Sequence, residues 1–452
     1  MYKKWKLVFV GIAIALSGFL FQISLQSVMR PYAKEGFYFQ SFSSETMMQT
    51  VSIEDLRDAP LETIYNIHIQ PPALDVIRAI LVRIWPSPDP LTSLKHVDFL
   101  LYRLWALLYG LLGLLIFLWT FKLTGMRVAV IAAVVFLLHP ACIFYATYLD
   151  STLLSSLLIL LMYYLFWKIK NNYNVSITLV AIATLALFFT RSIFQWPFIF
   201  LFAFSLFLLG TSKRKIFLFL LITGGVIGLY MGKQYYQFGI LSTSSFTGRS
   251  LARSVGIENI PSYRKYLKYL DNDSNLERQE SALPSVLTRK KKINGATNFN
   301  NINYLELNQQ LTDEYKKYIL CSTPVSQLII SYYQNLRIYF KPSSRFTEHV
   351  IVDRIPWRSF YDRIFSFPIF NTLILLSGIL WLMRVVKHQD YIVSIGFILP
   401  GLCIFFITIL FDKGENMRFK FFLEPVLFIF LVSQFHAISQ QVYQRMLTRR
   451  ST

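Results

Sequence analysis

The sequence predicts an all-α polytopic membrane protein with about ten transmembrane helices. Of its 452 residues, 54% are hydrophobic and 15% are charged, whereas about a quarter of the residues of a soluble protein are charged. Several apolar runs approach or exceed about 18 residues, the length that crosses the hydrocarbon core of a bilayer. Basic and acidic residues also alternate from one inter-helix loop to the next, as expected when successive loops face opposite sides of a membrane.

The N-terminal stretch predicts the first membrane helix, at about residues 7–24. Lys3, Lys4 and Lys6 come before the apolar run LVFVGIAIALSGFLF. A basic start followed by an apolar run is typical of a secretory signal peptide, but the small-residue cleavage site of such a peptide is missing here. We therefore expect this helix to be retained.

The other apolar runs define the remaining spans and the domain organisation. We place these spans at about residues 99–120, 127–144, 151–167, 175–190, 196–211, 215–232, 366–384, 391–411 and 418–438. Residues 1–232 are then a membrane domain with a long first outer loop (25–98), residues 233–365 an outer segment, and residues 366–452 the C-terminal membrane helices. Within 304–340, apolar residues at helical spacing predict amphipathic helices on the outer membrane surface, separated at Pro324.

The distribution of charge predicts the orientation. The loops on the N-terminal side of the membrane are rich in Lys and Arg, and the intervening loops hold most of the acids. The positive-inside rule therefore places both termini in the cytoplasm. The net charge of +20 is explained by these loops and by contacts with anionic membrane lipids. No nucleic-acid recognition module is visible, so no nucleic-acid partner is expected.

Two acids of the outer loops are candidate catalytic residues. Glu45 lies in the first outer loop, in SSETMMQT, and Asp150 precedes Ser151 and Thr152 at the start of a membrane helix. A carboxylate at either position can act as a general base toward an acceptor hydroxyl. The alternatives are a solvated loop acid for Glu45 and a helix N-cap for Asp150.

His68 and Gln70 are candidate substrate-binding residues of the first outer loop. They lie in HIQPP, where Pro71 and Pro72 fix the backbone and favour the start of a helix. Backbone N–H groups at such a helix start attract an anion such as phosphate. The alternative is a helix-start turn with an exposed histidine.

Further ionisable residues lie at the outer ends of predicted spans. Arg191 ends one span, and Arg418 and Lys420 begin another; snorkelling of long basic side chains accounts for each of them taken alone. Glu424 lies within an apolar helix, where an unpaired carboxylate costs at least about 2.5 kcal/mol. We expect it either to pair with Lys420 or Arg191, or to contact the substrate.

The motifs that the sequence lacks leave three classes of function, namely a membrane-bound transferase, a transporter or lipid flippase, and a polymer-assembly protein. The sequence has no P-loop, no GxGxxG after a strand, no HExxH and no GxSxG, so soluble-type nucleotide chemistry has no support. A transporter or lipid flippase would have ionisable residues spread through the spans and broken helices in matched pairs, whereas here the charges crowd one side. An O-antigen-ligase-like polymer-assembly protein would leave the same traces as a membrane-bound transferase.

Four features resemble the polytopic GT-C glycosyltransferases, in particular the branch of the protein O-mannosyltransferases and the lipid A aminoarabinose transferase. They are an acid in the first outer loop (Glu45), the HIQPP element, a Leu-Asp-x-x-Leu pattern around Asp150, and an arginine at the outer end of a middle span (Arg191). The resemblance covers mainly residues 1–230. This family usually has an Asp-Glu pair in the first loop; here Ser44 precedes Glu45, which makes Asp150 an alternative base.

The resemblance implies a GT-C-like fold and a hexosyl or pentosyl transferase that uses a polyprenyl-phosphate sugar donor, with no metal and no cofactor. A carboxylate would deprotonate a lipid, glycan or protein acceptor, which then attacks the anomeric carbon with inversion. Basic residues would stabilise the leaving phosphate. The chain would lie in a bacterial inner (plasma) membrane with an extracytoplasmic site, beneath a mobile lid loop at 241–256. The candidate substrate-binding residues are His68, Gln70, Arg191, Arg249, Arg253, Glu415, Arg418, Lys420 and Glu424.

Overall fold

The computed structural model describes residues 2–29, 44–255, 264, 283–346, 355–365, 372–373, 376, 378, 391–411 and 413–451. These residues are mainly helical, and the pairing of Lys291 with Thr297 is an isolated antiparallel bridge within them. The all-α prediction is confirmed for this part of the chain. The predicted span at 366–384 lies mostly outside the described residues.

The helices follow the apolar runs of the sequence. In chain order they are α1 (Tyr2–Met29), α2 (Ile53–Asp58), α3 (Pro60–Tyr65), α4 (Ala73–Ile84), α5 (Pro90–Thr124), α6 (Met126–Leu137), α7 (Pro140–Thr147), α8 (Thr152–Lys170), α9 (Ile177–Thr190), α10 (Pro197–Leu208), α11 (Lys213–Phe238), α12 (Thr247–Ser254), α13 (Ser285–Thr288), α14 (Ile302–Cys321), α15 (Val325–Tyr339), α16 (Arg358–Phe365), α17 (Tyr391–Phe411), α18 (Asn416–Lys420) and α19 (Glu424–Ser451). Short 3-10 helices lie at Ser44–Thr46 and Ser343–Arg345.

Several of these helices are long and apolar enough to cross a membrane. Among the described residues, five helices reach this length: α1, α5, α8, α11 and α19. The bent pair α6 and α7 makes a sixth if it is one span, while α9, α10 and the stretch Ile395–Phe411 of α17 are apolar but shorter. The chain is thus an integral membrane protein by length and composition of its helices, and the count of about ten spans stays a prediction.

The predicted continuous span at 127–144 is wrong in one respect, because the chain bends by 58° between α6 and α7. Pro140 occupies the first turn of α7, where its missing N–H costs nothing. The His139 ring accepts a hydrogen bond from the backbone N–H of Ala141 at 3.1 Å and so caps the new helix. The local sequence His-Pro therefore ends one helix and begins the next.

The core of the protein is built around α5, which packs against α1, α6, α8 and α19. Trp105, Tyr109 and Phe117 of α5 are fully buried. Gly110 allows the close approach of α1, because a methyl group at this position would overlap the carbonyl oxygen of Ala15.

Two segments of the predicted outer loops take a defined form. Two helices, α14 and α15, lie where amphipathic helices were expected in 304–340, and Pro324 separates them; their place on the outer membrane surface stays a prediction. By contrast, the segment predicted as a mobile loop at 241–256 contains helix α12, which packs against α14. The apolar side chains of Ala252 and Val255 are buried there against Leu311 and Tyr315, and this packing explains why the polar, basic stretch is ordered.

Candidate functional site

Six charged residues from four segments converge at one end of the membrane helices, and we call them the arginine cluster. Its members are Asp150, Arg191, Arg249, Arg253, Glu415 and Arg418. Asp150 precedes α8 and Arg191 follows α9, so both lie where an apolar helix meets a loop. Arg249 and Arg253 are one helical turn apart on α12, while Glu415 and Arg418 belong to the turn and short helix after α17.

Asp150 is the anion at the centre of the cluster, and its side chain is 4% exposed. One carboxylate oxygen accepts a hydrogen bond from the backbone N–H of Thr152 at 2.8 Å. The other accepts from Arg191 at 3.1 Å, from the Thr152 hydroxyl at 2.9 Å and from Arg418. Burial raises the pKa of Asp150, and the charge of Arg418 opposes that rise. Both oxygens are therefore occupied by protein donors.

Arg418 connects Asp150 to Glu415. Its Nη1 donates to Glu415 at 2.8 Å and its Nε donates to the Thr152 hydroxyl at 2.9 Å. Its guanidinium also lies 4.9 Å from the centre of the Phe346 ring and 6.0 Å from that of Tyr148, within the range of cation–π attraction. The direction of this guanidinium is thus set by carboxylates and aromatic faces together.

Glu415 differs from Asp150 in its access to solvent, because its side chain is 28% exposed. Burial of most of its side chain raises the pKa of Glu415, and the negative charge of the nearby Asp150 raises it further. The positive charges of Arg253 and Arg249 oppose this rise. Arg253 is held beside it by donating to the backbone carbonyl of Lys413 at 3.0 Å. Glu415 is therefore an accessible carboxylate with basic neighbours.

The segment after Glu45 also reaches the arginine cluster. Arg191 donates to the Gln49 side chain at 3.3 Å, and Arg249 lies 3.5 Å from the sulfur of Met48. Sequence reasoning missed both contacts. The signal available in the sequence was the position of Met48 and Gln49 in SSETMMQT, close to Glu45.

Glu45 itself lies in a different group of charges, which we call the first-loop cluster: Glu45, Asp75, Arg78 and Lys292. Glu45 is fully buried and accepts hydrogen bonds from the backbone N–H groups of Ile53 and Asn294. Arg78 lies 2.6 Å from Asp75 and 3.6 Å from Glu45.

Lys292 ends the basic run RKKK (residues 289–292) and attaches that run to the same segment. Its ammonium group donates to the carbonyl oxygens of Glu45 at 2.8 Å and Met47 at 2.6 Å, and to the Thr50 hydroxyl at 3.2 Å. Burial lowers the pKa of Lys292 to about 7 and burial raises the pKa of Asp75. Residues 44–50 are thus anchored in the first-loop cluster and present Met48 and Gln49 to the arginine cluster.

The structure places His68 and Gln70 inside the protein rather than on an exposed turn. His68 is fully buried, its Nδ1 lies 3.0 Å from the Ser245 hydroxyl, and its Nε2 lies 2.9 Å from the carbonyl oxygen of Asn300. A carbonyl can only accept, so Nε2 donates and Nδ1 accepts from Ser245. The His68 carbonyl also accepts from the Ser245 N–H at 2.8 Å. His68 therefore fixes the turn that begins α12, the helix of Arg249 and Arg253.

Lys420 and Glu424 form a separate buried pair. Lys420 lies 3.4 Å from Glu424 and donates to the carbonyl oxygen of Lys341 at 2.7 Å. Ser343 donates to the same Glu424 oxygen at 2.5 Å. Lys420 is thus the ionic partner of Glu424. Glu424 connects α19 to the 3-10 helix at Ser343–Arg345, and Lys420 connects α18 to Lys341 just before it.

Replacing His68 by glutamine is expected to flatten the dependence of stability on pH. Burial lowers the pKa of His68 from 6.5 to about 4, so between these values the unfolded chain binds a proton that the folded chain does not. Stability is therefore lost as the pH falls through this window, by about 3 kcal/mol in full. Thermal unfolding of the detergent-solubilised protein at pH 7 and pH 5 measures this loss. His436→Gln is the control, and an equal pH slope in wild type and His68→Gln would contradict the assignment.

Comparisons with known proteins assign no family to this chain. No protein-family model matches the chain, and no curated protein sequence does. Among solved structures, it is similar to the crystal structure of the Archaeoglobus fulgidus oligosaccharyltransferase in the apo form, with 12% identity and a TM-score of 0.46. The match covers 98% of this chain and 52% of that protein, so the chain spans about half its length.

Proposed function

We propose that this chain is a membrane glycosyltransferase that transfers a sugar from a polyprenyl-phosphate donor to an acceptor on the extracytoplasmic side. The observation that carries the proposal is the arginine cluster. Four guanidinium groups face two carboxylates at the end of apolar helices, which leaves an excess of two positive charges. Arginine binds phosphate oxygens in a bidentate manner, and the lipid part of such a donor would remain in the membrane beside the helices.

The proposed reaction exchanges one bond at the anomeric carbon for another. The acceptor hydroxyl gives its proton to a carboxylate, and its oxygen forms a bond to the anomeric carbon from the face opposite the phosphate. The bond between that carbon and the phosphate oxygen breaks, so the configuration is inverted. Arg191, Arg249, Arg253 and Arg418 stabilise the negative charge on the departing polyprenyl phosphate, the role of a cation in such a step.

We assign the proton acceptor to Glu415, in place of the bases that the sequence suggested. Its exposed surface gives an acceptor hydroxyl access, and a raised pKa makes a carboxylate a stronger base. Asp150 has both oxygens bound by donors, and Glu45 is fully buried with a backbone donor on each oxygen. In this scheme Asp150 positions two arginines, while Glu45 positions the segment that carries Gln49.

Replacing Glu415 by glutamine is expected to lower the rate of transfer by about 100-fold or more, because the base is lost while a hydrogen-bond acceptor for Arg418 stays. The assay is transfer from a radiolabelled polyprenyl-phosphate sugar in membranes, with yield of folded protein measured in parallel. Glu415→Asp is the matched control and keeps part of the activity.

The same assay applied to Glu45→Gln and Asp150→Asn separates the three acids. We expect both variants to lose folded protein as well as activity, because each leaves buried donors without their charged acceptor. A fully active Glu415→Gln beside a folded but inactive Glu45→Gln would return the role of base to Glu45. Full activity in all three variants would contradict a carboxylate base among these residues. No transfer by the wild-type protein would contradict the proposed reaction and favour a transporter, a flippase or a polymer-assembly protein.

A further inference from the structure

Helix α15 has an apolar face that no described part of the chain covers. Val325 is 70% exposed, Ile329 62%, Tyr333 60% and Ile330 57%. Their spacing places all four on one side of a 3.6-residue helix. Single exposed apolar residues are ordinary on a protein surface, but four exposed apolar residues on one side of a helix indicate a binding surface.

The opposite face of α15 is tied to the elements that surround the arginine cluster. Ser331 donates to the carbonyl oxygen of Val255 at 3.1 Å. Asn335 donates to the carbonyl oxygens of Ser254 at 3.0 Å and Ile409 at 2.9 Å. These bonds join α15 to the last turn of α12 and to the last turn of α17. The exposed face therefore has a fixed direction relative to both helices.

Helix α17, which also has exposed apolar residues, packs against α15. Phe406 is 54% exposed and Leu402 46% exposed along α17. The rings of Phe405 and Tyr339 meet with centroids 5.0 Å apart, where the end of α17 meets the end of α15. Helix α15 is thus held directly beside an apolar helix that has exposed apolar side chains of its own.

The charge near α15 suits a membrane surface. Arg337 is exposed on the same side of α15 as Val325 and Tyr333, and Lys341 is exposed just beyond the helix. A helix with an apolar face bordered by basic side chains is typical of helices that lie in the interfacial region of a bilayer and meet anionic headgroups.

We propose that α15 is an interfacial helix, seated in the membrane surface beside α17 at the end where the arginine cluster lies. Val325, Ile329 and Tyr333 enter the boundary between headgroups and acyl chains. Through Ser331 and Asn335, the helix sets the height of α12, and therefore of Arg249 and Arg253, above the hydrocarbon. This inference goes beyond the proposed reaction and does not depend on it.

Depth-dependent fluorescence quenching tests the proposal in the full chain reconstituted into lipid vesicles. Cys321 and Cys403 are replaced by serine, the buried Cys142 is kept, and a bimane label is attached to Ile329→Cys. Phe406→Cys on α17 is the lipid control. Lys316→Cys on α14 is the water control, because the Lys316 side chain is 63% exposed.

We expect brominated lipid to quench the label at position 329 as strongly as at position 406, with little loss of fluorescence at position 316. Iodide in the buffer should give the reverse order. Quenching at position 329 by iodide and not by lipid would overturn the proposal. Protection of position 329 from both quenchers would also overturn it, because a protein would then cover this face.

Discussion

Replacing Arg418 by methionine is expected to reduce transfer activity by on the order of 100-fold or more, the effect of removing one stabilising donor from a developing negative charge. Arg418 is buried, with a side chain 5% exposed, and binds both acids of the arginine cluster, Asp150 and Glu415. Methionine keeps much of the volume beside Phe346 but removes every donor. The measurement is the same transfer assay, with the donor and acceptor concentrations varied separately.

Two variants separate the loss of function from the loss of structure. Arg418→Lys keeps the charge without the planar pair of donors, so we expect partial activity. In the double variant Asp150→Asn with Arg418→Met, no uncompensated carboxylate remains at position 150. We expect it to recover folded protein but not activity. Recovery of activity in the double variant would mean that Arg418 serves only to neutralise Asp150, and the proposed phosphate contact would then be wrong.

Replacing Arg78 by methionine is expected to give the largest loss of stability, about 3–5 kcal/mol, because it removes one partner of a buried ionic network. Arg78 is fully buried. It donates to Asp75 at 2.6 Å, to the Val51 carbonyl oxygen at 2.8 Å and to the Ser44 hydroxyl at 3.1 Å. The variant leaves the buried carboxylates Asp75 and Glu45 without this guanidinium. Thermal unfolding of the solubilised protein measures the effect.

A surface pair provides the matched control for Arg78. Arg57 lies 2.7 Å from Asp58, whose side chain is 56% exposed, and such pairs contribute about 0–1 kcal/mol. Arg57→Met should therefore leave the unfolding temperature nearly unchanged. Asp75→Asn combined with Arg78→Met should recover part of the lost stability. Equal small effects in Arg57→Met and Arg78→Met would contradict the role of the first-loop cluster.

Residues 44–50 join the first-loop cluster, which contains Arg78, to the arginine cluster, which contains Arg418. Residues 44–50 are anchored at one end by Glu45, Arg78 and Lys292, and they contact Arg191 through Gln49 at the other. We therefore expect Arg78 variants that still fold to bind the donor less well. Substitutions of Arg418 should leave the first-loop cluster intact, because none of the Arg418 contacts described above reaches a residue of the first-loop cluster.

The sequence by itself determined the membrane class and the positions of most helices. Both depend on local properties, namely the length of apolar runs, their periodicity, and breaks such as Pro324 between α14 and α15. Loop charge also singled out Asp150, Arg191 and Arg418 as residues at the same end of the spans, and the structure brings these three into contact. That these residues share one end of the spans was predictable because consecutive spans must alternate in direction. The side of the membrane that this end faces stays a prediction.

The pair Lys420 and Glu424, four residues apart, was predictable from the sequence, but only the tertiary structure decided which distant groups neutralise the other buried charges. Nothing local in the sequence distinguishes Lys292 from the rest of the RKKK run, yet it donates to the Glu45 carbonyl oxygen from 247 residues away. His68 likewise meets Asn300 across 232 residues, which makes an apparent helix-start turn a support for α12. Burial and ion pairing depend on contacts between distant segments, and residue spacing within one segment carries no information about those contacts.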